Sequence, residues 1–342
     1  MKAGYKEFFS LLDNCLRETQ NKNIIIYGSN EGGDFIKWFY SKYYGVQVKT
    51  VVDRWELSTV GTILHLWSFY YIYEENDIII NVTPQDIEEE FCDTGEDWKR
   101  TYYKKTQILN LWRMLYPNMS VGKKCVDYPQ CTYFDWIEHR VDGVDLLNPV
   151  KRKYTAGLDA HGYFPTDFRI FIDGLSEYCI QEEDAFLDIG CGKGSGVLAL
   201  KAAGVRTRGA VEYTESIFDT MIRNLSLLEI PFDKVDSNEI SQNEAEIICY
   251  LGDAAQMDLE LDKYNWFFLF NPFSEYVMRR VLDNICESMR RKPRVLRIFY
   301  AEPISHNMIL ETGKFEVEKR ICNDYSNVSY YSYIYRSNTQ ES

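Results

Sequence analysis

The chain has 342 residues, enough for two domains, and 45% of them are hydrophobic and 15% aromatic, which excludes a disordered protein. Its formal net charge of −14 weighs against a general nucleic-acid partner, because phosphate backbones bind basic surfaces. The nine scattered cysteines form no C-x-x-C pair and the four histidines are isolated, so we expect free thiols and no metal site.

The first ten residues lack the apolar core of a signal peptide. The most apolar stretch, residues 60–73, is too short for a membrane span and carries His65 and Ser68, so we interpret it as a buried helix. These features predict a cytoplasmic protein without a membrane span, and a reducing compartment fits its unpaired cysteines.

The N-terminal third carries three apolar runs that predict parallel strands, at residues 23–28, 48–53 and 77–82. Helices are predicted at 34–44 and 102–116. Glycines follow the first strand and an acid, Asp53, ends the second, which is the order of a βαβ unit.

This order resembles the small Rossmann-like modules found beside bacterial sugar-modifying enzymes. Asn30 replaces the second glycine of a dinucleotide fingerprint, so two interpretations stay open. The module binds a nucleotide or nucleotide sugar, or it has a structural, dimerising or acceptor-presenting role. We assign residues 1–120 to this accessory domain and 121–150 to a linker, and a homodimer through the N-terminal domain is one expectation.

The most informative segment is Ala185–Leu200, where a short apolar strand runs into glycines at 190, 192 and 194 and then into a helix. Alternate glycines let the backbone approach a ligand and permit positive φ. Asp188 precedes the first glycine, and Glu212 ends the next apolar run about 20 residues further on, where an acid can hold ribose hydroxyls. A dinucleotide fingerprint needs Gly or Ala at position 195, which is Ser195 here.

The D-I-G-C-G-K-G spacing resembles motif I of the class I S-adenosylmethionine (SAM)-dependent methyltransferases. The resemblance implies SAM as cofactor, with Asp188, Gly190, Gly192, Gly194 and Glu212 at its site. Gly252-Asp253 after the strand run 246–251 resembles the third-strand corner, where the acid bonds the adenine amino group.

Later elements follow the order of the same family. A helix is predicted at 214–228 and another at 277–289, with strands at 265–270 and 294–301 and an antiparallel pair at 315–321 and 328–335. The fold class is therefore α/β, a seven-stranded Rossmann-like methyltransferase sheet over residues 151–342, preceded by the smaller α/β Rossmann-like domain. The aromatic segment 153–167, ahead of a helix at 167–178, resembles the part that caps SAM in several methyltransferase families.

Asn271-Pro272-Phe273 resembles motif IV at the edge of the reaction chamber, so Asn271 is the catalytic candidate and Pro272, Phe273 and Tyr163 are acceptor-side candidates. His161, Glu302 and His306 are further acceptor-side groups whose spacing compels no role.

We expect methyl transfer to a hydroxyl of a small molecule, sugar or glycan precursor. We favour a sugar acceptor because the N-terminal module resembles modules found beside sugar-modifying enzymes. N-methylation through the Asn-Pro-Phe corner is the alternative, because it partly matches the Asn-Pro-Pro-Tyr motif of amino-group methyltransferases. An inactive SAM-binding or nucleotide-binding module, and an oxidoreductase using the N-terminal module, are the interpretations from other classes.

Overall fold

The computed structural model describes residues 4–53, 63–65, 74–87, 107–119, 128–150, 162–176, 178–236, 247–325 and 328–338. The chain divides into two compact units after Arg140. Within the described residues, the predicted linker is split by this division, since 128–140 fold with the N-terminal unit and 141–150 with the C-terminal unit.

The N-terminal unit contains a parallel five-stranded sheet in the order β3-β2-β1-β4-β5. Its strands are β1 (Asn23–Tyr27), β2 (Thr50–Asp53), β3 (Ile63–His65), β4 (Asp77–Asn81) and β5 (Ile108–Leu109). The central strand is a fully buried β-branched run, Ile24 to Ile26, as parallel strands covered on both faces require. The helices are α1 (Tyr5–Leu16), α2 (Glu31–Phe39), α3 (Leu111–Leu115) and α4 (Tyr133–Arg140).

Two predicted helices in this unit are wrong over the described residues. Within 60–73, residues 63–65 form β3, which pairs in parallel with β2. Within 102–116, residues 108–109 form β5 beside β4, and the helix covers only Leu111–Leu115. Pairing along a sheet edge outweighs the local helical pattern in both places.

The C-terminal unit contains an eight-stranded sheet in the order β12-β13-β11-β10-β6-β7-β9-β8. Its strands are β6 (Ala185–Ile189), β7 (Thr207–Glu212), β8 (Asp233–Asp236), β9 (Ile247–Leu251), β10 (Trp266–Phe270), β11 (Arg297–Ala301), β12 (Phe315–Tyr325) and β13 (Val328–Ser337). The helices are α5 (Phe168–Leu175), α6 (Ser195–Ala202), α7 (Glu215–Leu227), α8 (Glu275–Arg291) and α9 (His306–Glu311).

This sheet confirms the predicted α/β methyltransferase fold and corrects its strand count. Without β8, the order is that of the seven-stranded class I sheet, with β13 antiparallel to its neighbours β11 and β12. The eighth strand, β8, adds to the edge in parallel with β9. Its sequence, Asp-Lys-Val-Asp, lacks the apolar run of a buried strand, because an edge strand needs only one covered face.

Candidate cofactor site and acceptor corner

The glycine loop after β6 needs glycine for both backbone and contact reasons. Gly190, Gly192 and Gly194 have φ values of 78°, 56° and 93°, in the left-handed region. A Cβ on Gly190 would lie 2.4 Å from the Cβ of Pro272, and one on Gly192 would lie 2.2 Å from the Tyr163 ring. The loop is therefore packed between the predicted motif IV corner and an aromatic side chain.

The backbone donors of this loop are directed into the protein. The N–H groups of Gly190 and Cys191 both donate to the carbonyl of Val211, at 2.9 and 3.0 Å. The Gly192 N–H donates to Glu212 Oε2 at 3.1 Å. A loop that cradles phosphates turns its N–H groups towards the ligand, so these three groups do not provide a phosphate cradle.

The Glu212 side chain, at the end of β7, bonds the loop that follows β6. Its second carboxylate oxygen, Oε1, accepts the N–H of Thr214 at 2.8 Å, and the residue is 8% exposed. Burial raises the pKa of this carboxyl, and the backbone hydrogen bonds from Thr214 and Gly192 oppose that rise. Each carboxylate oxygen has two lone pairs, so each can accept a ligand hydroxyl in addition to a backbone N–H.

Asp188 is buried within β6, between Phe268 of β10 and Ala210 of β7. Burial, and then the charge of Glu212, raises its pKa to about 8. A Cβ on Gly196 would lie 2.2 Å from Asp188 Oδ2, so the start of α6 lies directly against this carboxyl. Gly196 is a residue that the sequence pattern did not single out, because nothing in the spacing says which helix face meets the strand.

Asp253 lies at the next strand end. The Gly252 N–H donates to the Glu212 carbonyl at 3.0 Å, which brings the β9 corner beside the β7 corner. The Asp253 carboxylate accepts the Ala255 N–H at 2.8 Å and caps the short 3₁₀ turn 254–256. This capping role and the predicted adenine contact use the same carboxylate, which has acceptor capacity for both.

Lys193 has a structural partner. It is 4% exposed, and its Nζ lies 2.7 Å from Asp145 Oδ1 and 2.8 Å from the Asn148 carbonyl. The buried amide of Asn224 donates to the carbonyls of Asp145 and Lys193, at 2.7 and 3.0 Å. Burial raises the pKa of Asp145. The hydrogen bond and the charge of Lys193 together lower it by more than burial raises it, so the net shift is downward.

Sequence reasoning placed Asp145 and Asn148 in a linker and therefore missed this bracing. The sequence shows only that a lysine lies inside the glycine loop, and this does not indicate which residue it contacts. Because this lysine is bonded to Asp145, it does not supply a cation for a phosphate.

Tyr163 packs on the loop through its ring and donates its hydroxyl to the Leu146 carbonyl at 2.5 Å. The Lys193 Nζ lies 5.4 Å from the ring centroid, within cation–π range. These contacts place Tyr163 against the glycine loop, and a contact with the acceptor remains a prediction. His161 and most of the predicted capping segment lie outside the described residues.

The Asn-Pro-Phe corner follows β10 directly. Asn271 has a φ of 40°, a left-handed value that only a few per cent of non-glycine residues adopt. Phe273 is partly buried against the core of the unit, and Pro272 lies on Gly190. The structure thus brings Asp188, the glycine loop, Glu212, Asp253 and this corner to the carboxyl ends of four neighbouring strands, in the order β10-β6-β7-β9.

His306 has partners within its own unit, and its predicted acceptor-side role stays a prediction. Its Nδ1 lies 2.7 Å from the Tyr335 hydroxyl, and its ring meets Tyr333 edge-on. In the described ranges, no cluster of three metal-ligating side chains occurs, and no helix is long and apolar enough to cross a membrane.

The sequence matches no protein-family model and no curated protein. Among solved structures, a ribosomal protein L11 methylase from Lactobacillus delbrueckii subsp. bulgaricus is similar to 54% of this chain over 83% of its own, with 10% identity and a TM-score of 0.36. A mutant of MtNAS in complex with S-adenosylmethionine matches 49% of this chain over 62% of its own, at 17% identity and a TM-score of 0.35.

A precorrin 8w decarboxylase of Methanobacterium thermoautotrophicum is also similar, over 52% of this chain and 93% of its own, with 17% identity and a TM-score of 0.35. At these values the likenesses carry no activity or substrate over to this chain. The class I fold of the C-terminal unit stands on its own strand order.

Proposed function

We propose that the protein binds SAM at the carboxyl ends of β6, β7 and β9 and transfers the methyl group to an acceptor hydroxyl. One observation carries the proposal. Glu212, an acid suited to ribose hydroxyls, lies beside a glycine loop whose backbone N–H groups bond within the protein and not towards a ligand. Such a site suits a nucleoside without phosphates. The ion pair of Lys193 with Asp145 supports the same choice.

Four groups would hold the cofactor. Glu212 would accept the ribose hydroxyls, Asp253 the adenine amino group, and Asp188 the ammonium group of the amino-acid end, with the glycine loop giving close backbone approach. When bound, SAM supplies a methyl group already activated on a sulfonium. The protein then has to hold the acceptor oxygen in line and exclude water.

Asn271 would orient the acceptor beside the methyl group, and Phe273 would form an apolar wall. This follows from their place at the end of β10, since ligands bind outside the carboxyl ends of strands in open α/β sheets. Pro272 fixes the backbone between them. The contact of Pro272 with the glycine loop supports a position next to the cofactor.

A neutral small molecule, sugar or glycan precursor is the acceptor class that we favour. The described turns at these strand ends carry acids, among them Asp253 and Glu302, and Glu275 begins the helix after β10. The one lysine in these turns, Lys193, is in an ion pair. Such a rim disfavours a polyanion. The N-terminal unit's resemblance to companions of sugar-modifying enzymes adds an associational reason, and a homodimer through that unit stays a prediction.

N-methylation is the second candidate. Its specific support is the Asn-Pro-Phe corner, because an asparagine carbonyl and an adjacent backbone carbonyl can both accept hydrogen bonds from an amine. An acidic rim also attracts an amine.

The decisive experiment is incubation of the protein with methyl-labelled SAM and an extract of its source cells, followed by separation into small-molecule, glycan, protein and nucleic-acid fractions. We expect one labelled product in the small-molecule or glycan fraction, with the label on oxygen by mass spectrometry. The Glu212→Ala protein is the matched control and should label at least about 100-fold more slowly. Label on nitrogen would favour the second candidate. SAM binding without label in any fraction would favour an inactive binding module.

A further inference from the structure

Two neighbouring strands of the C-terminal sheet end in the same way. β10 runs into Asn271-Pro272-Phe273, and β11 runs into Glu302-Pro303-Ile304. In the parallel pairing of these strands, Phe270 lies opposite Ala301. Asn271 and Glu302 therefore occupy equivalent positions at adjacent strand ends, about 5 Å apart along the hydrogen-bonding direction.

Both residues hold an unfavourable backbone conformation. Glu302 has a φ of 50° and Asn271 a φ of 40°, and each precedes a proline, which restricts its conformation further. Asparagine tolerates the left-handed region, but glutamate has no such preference. Strain of this kind persists where the surrounding structure imposes it, and it concentrates at functional sites.

The surrounding structure does impose it at Glu302. Its N–H donates to the Tyr331 carbonyl at 2.8 Å, and its own carbonyl accepts the Ile304 N–H at 2.7 Å across Pro303. The turn is thereby fixed to β13 on one side and closed on itself on the other. The Glu302 residue is left exposed at the strand end.

Large apolar side chains are exposed around this pair of corners. Ile304 is 69% exposed, Tyr276 is 66% exposed and Tyr331 is 55% exposed. Aromatic rings can contact a flat apolar face while their hydroxyls stay in water. Glu302 is bonded through its backbone to Ile304 and Tyr331, two of these residues, and lies one strand beyond Asn271. An acid there is placed for an acceptor that has both a ring face and a hydroxyl.

We propose that Glu302 holds the acceptor hydroxyl together with Asn271 and takes its proton during methyl transfer. This inference rests on the proposed function. In the step, the acceptor oxygen bonds the methyl carbon while the carbon–sulfur bond breaks and its electron pair stays on sulfur. The hydroxyl proton passes to the Glu302 carboxylate, so charge and atoms balance. Although Glu302 is exposed at the strand end, neighbouring atoms desolvate part of its carboxyl group and raise its pKa, which makes the carboxylate a stronger base.

The test compares two probes that need no acceptor. S-adenosylhomocysteine lacks the methyl group, whereas sinefungin carries an amine-bearing carbon in place of the sulfonium and its methyl. That amine extends towards the acceptor side, so a carboxylate there should favour sinefungin. Titration calorimetry on the full chain should show that Glu302→Gln weakens sinefungin about 10-fold and changes S-adenosylhomocysteine less than twofold.

Two further variants separate this role from a structural one. Glu302→Gly removes the carboxylate and relieves the left-handed backbone, so it should keep or raise the melting temperature and still weaken sinefungin about 10-fold. Glu311→Gln, the same change at an exposed glutamate ending α9, should leave both affinities unchanged.

The outcomes distinguish the two proposals. If the unaltered protein binds neither probe, the proposed function fails. If it binds both and Glu302→Gln weakens neither, or weakens both equally, the role of Glu302 is overturned while the cofactor site stands. A selective loss of sinefungin in both Glu302 variants supports the role.

Discussion

Each unit contains a strand–loop–helix turn, and the two turns have the same pattern of internal backbone hydrogen bonds. Gly28 in the N-terminal unit donates to Val52, and Gly190 in the C-terminal unit donates to Val211, each at 2.9 Å. The acid ending the next strand accepts a loop N–H in both, from Ser29 to Asp53 and from Gly192 to Glu212.

The turns differ in what covers them. In the N-terminal unit, the Ser29 hydroxyl also donates to Asp53, at 2.8 Å, and Asn30 caps the Gly33 N–H, at 2.8 Å. The start of α2 is then covered by its own unit, because a Cβ on Gly32 would lie 2.8 Å from the Cys131 backbone nitrogen. Gly194 occupies the N-cap position of α6 and provides no side-chain cap. The sequence left a nucleotide-binding role of the N-terminal module open, and the bonds of Ser29 and Asn30 favour its structural role.

The largest expected effect is on SAM affinity and comes from comparing the two strand-end acids, Glu212 and Asp53. Glu212→Ala should lower SAM affinity at least about 100-fold, since each lost charged hydrogen bond is worth about 1.5–3 kcal/mol. Asp53→Ala should leave SAM affinity within about twofold of the unaltered protein. Titration calorimetry measures both. Equal losses in the two variants would show that the N-terminal turn contributes to the SAM site.

The two strand-end asparagines give the next comparison. Asn271→Ala should reduce turnover about 100-fold and change SAM affinity less, as expected for a residue that positions the acceptor. Asn271→Gly should do the same while accepting the left-handed backbone, which separates side-chain loss from strain. Phe273→Ala should mainly raise the KM for the acceptor. Normal turnover in both Asn271 variants would make this corner structural.

Asn81, at the end of β4, is the counterpart of Asn271 in the N-terminal unit. Its amide bonds Thr83, Gln85 and Asn110 at 2.8–3.0 Å, and the residue is fully buried. Asn81→Ala should therefore cost about 2–3 kcal/mol of stability in urea unfolding and leave turnover per folded molecule unchanged.

Asp188 should give the protein a pH-dependent stability. Its folded-state pKa of about 8 lies above the ordinary value near 4, so between these pH values the folded state holds a proton that the unfolded state has released. Stability should therefore fall as pH rises from about 4 to 8, by up to about 1.4 kcal/mol per pH unit. Urea unfolding at pH 5 and pH 8 measures this, and Asp188→Asn should flatten the slope. An unchanged slope would assign the effect to other groups.

The smallest expected effect concerns the N-terminal unit, where we expect nucleotides to leave the melting temperature unchanged. SAM should raise the melting temperature of the full chain by mass action, whereas NAD and a UDP-sugar at the same concentration should not. A shift with NAD that disappears in Asp53→Ala would show that the covered turn opens to bind a nucleotide.

Local patterns in the sequence determined much of this protein. The parallel strands 23–27 and 185–189 follow from runs of mostly β-branched and apolar residues, and the glycines at 190, 192 and 194 follow from a backbone that needs left-handed φ. Asp188 and Glu212 could be named because strand ends fix where side chains meet a ligand.

Only the tertiary structure decided which groups meet across long sequence separations. The bond from Lys193 to Asp145, the cover of Cys131 over Gly32, the edge strands β3, β5 and β8, and the register that sets Glu302 beside Asn271 all join segments with no local signal for each other. Such contacts depend on tertiary packing and sheet pairing, which local propensity does not encode. The glycine loop could therefore be found from the sequence, whereas the residues that brace and surround it could not.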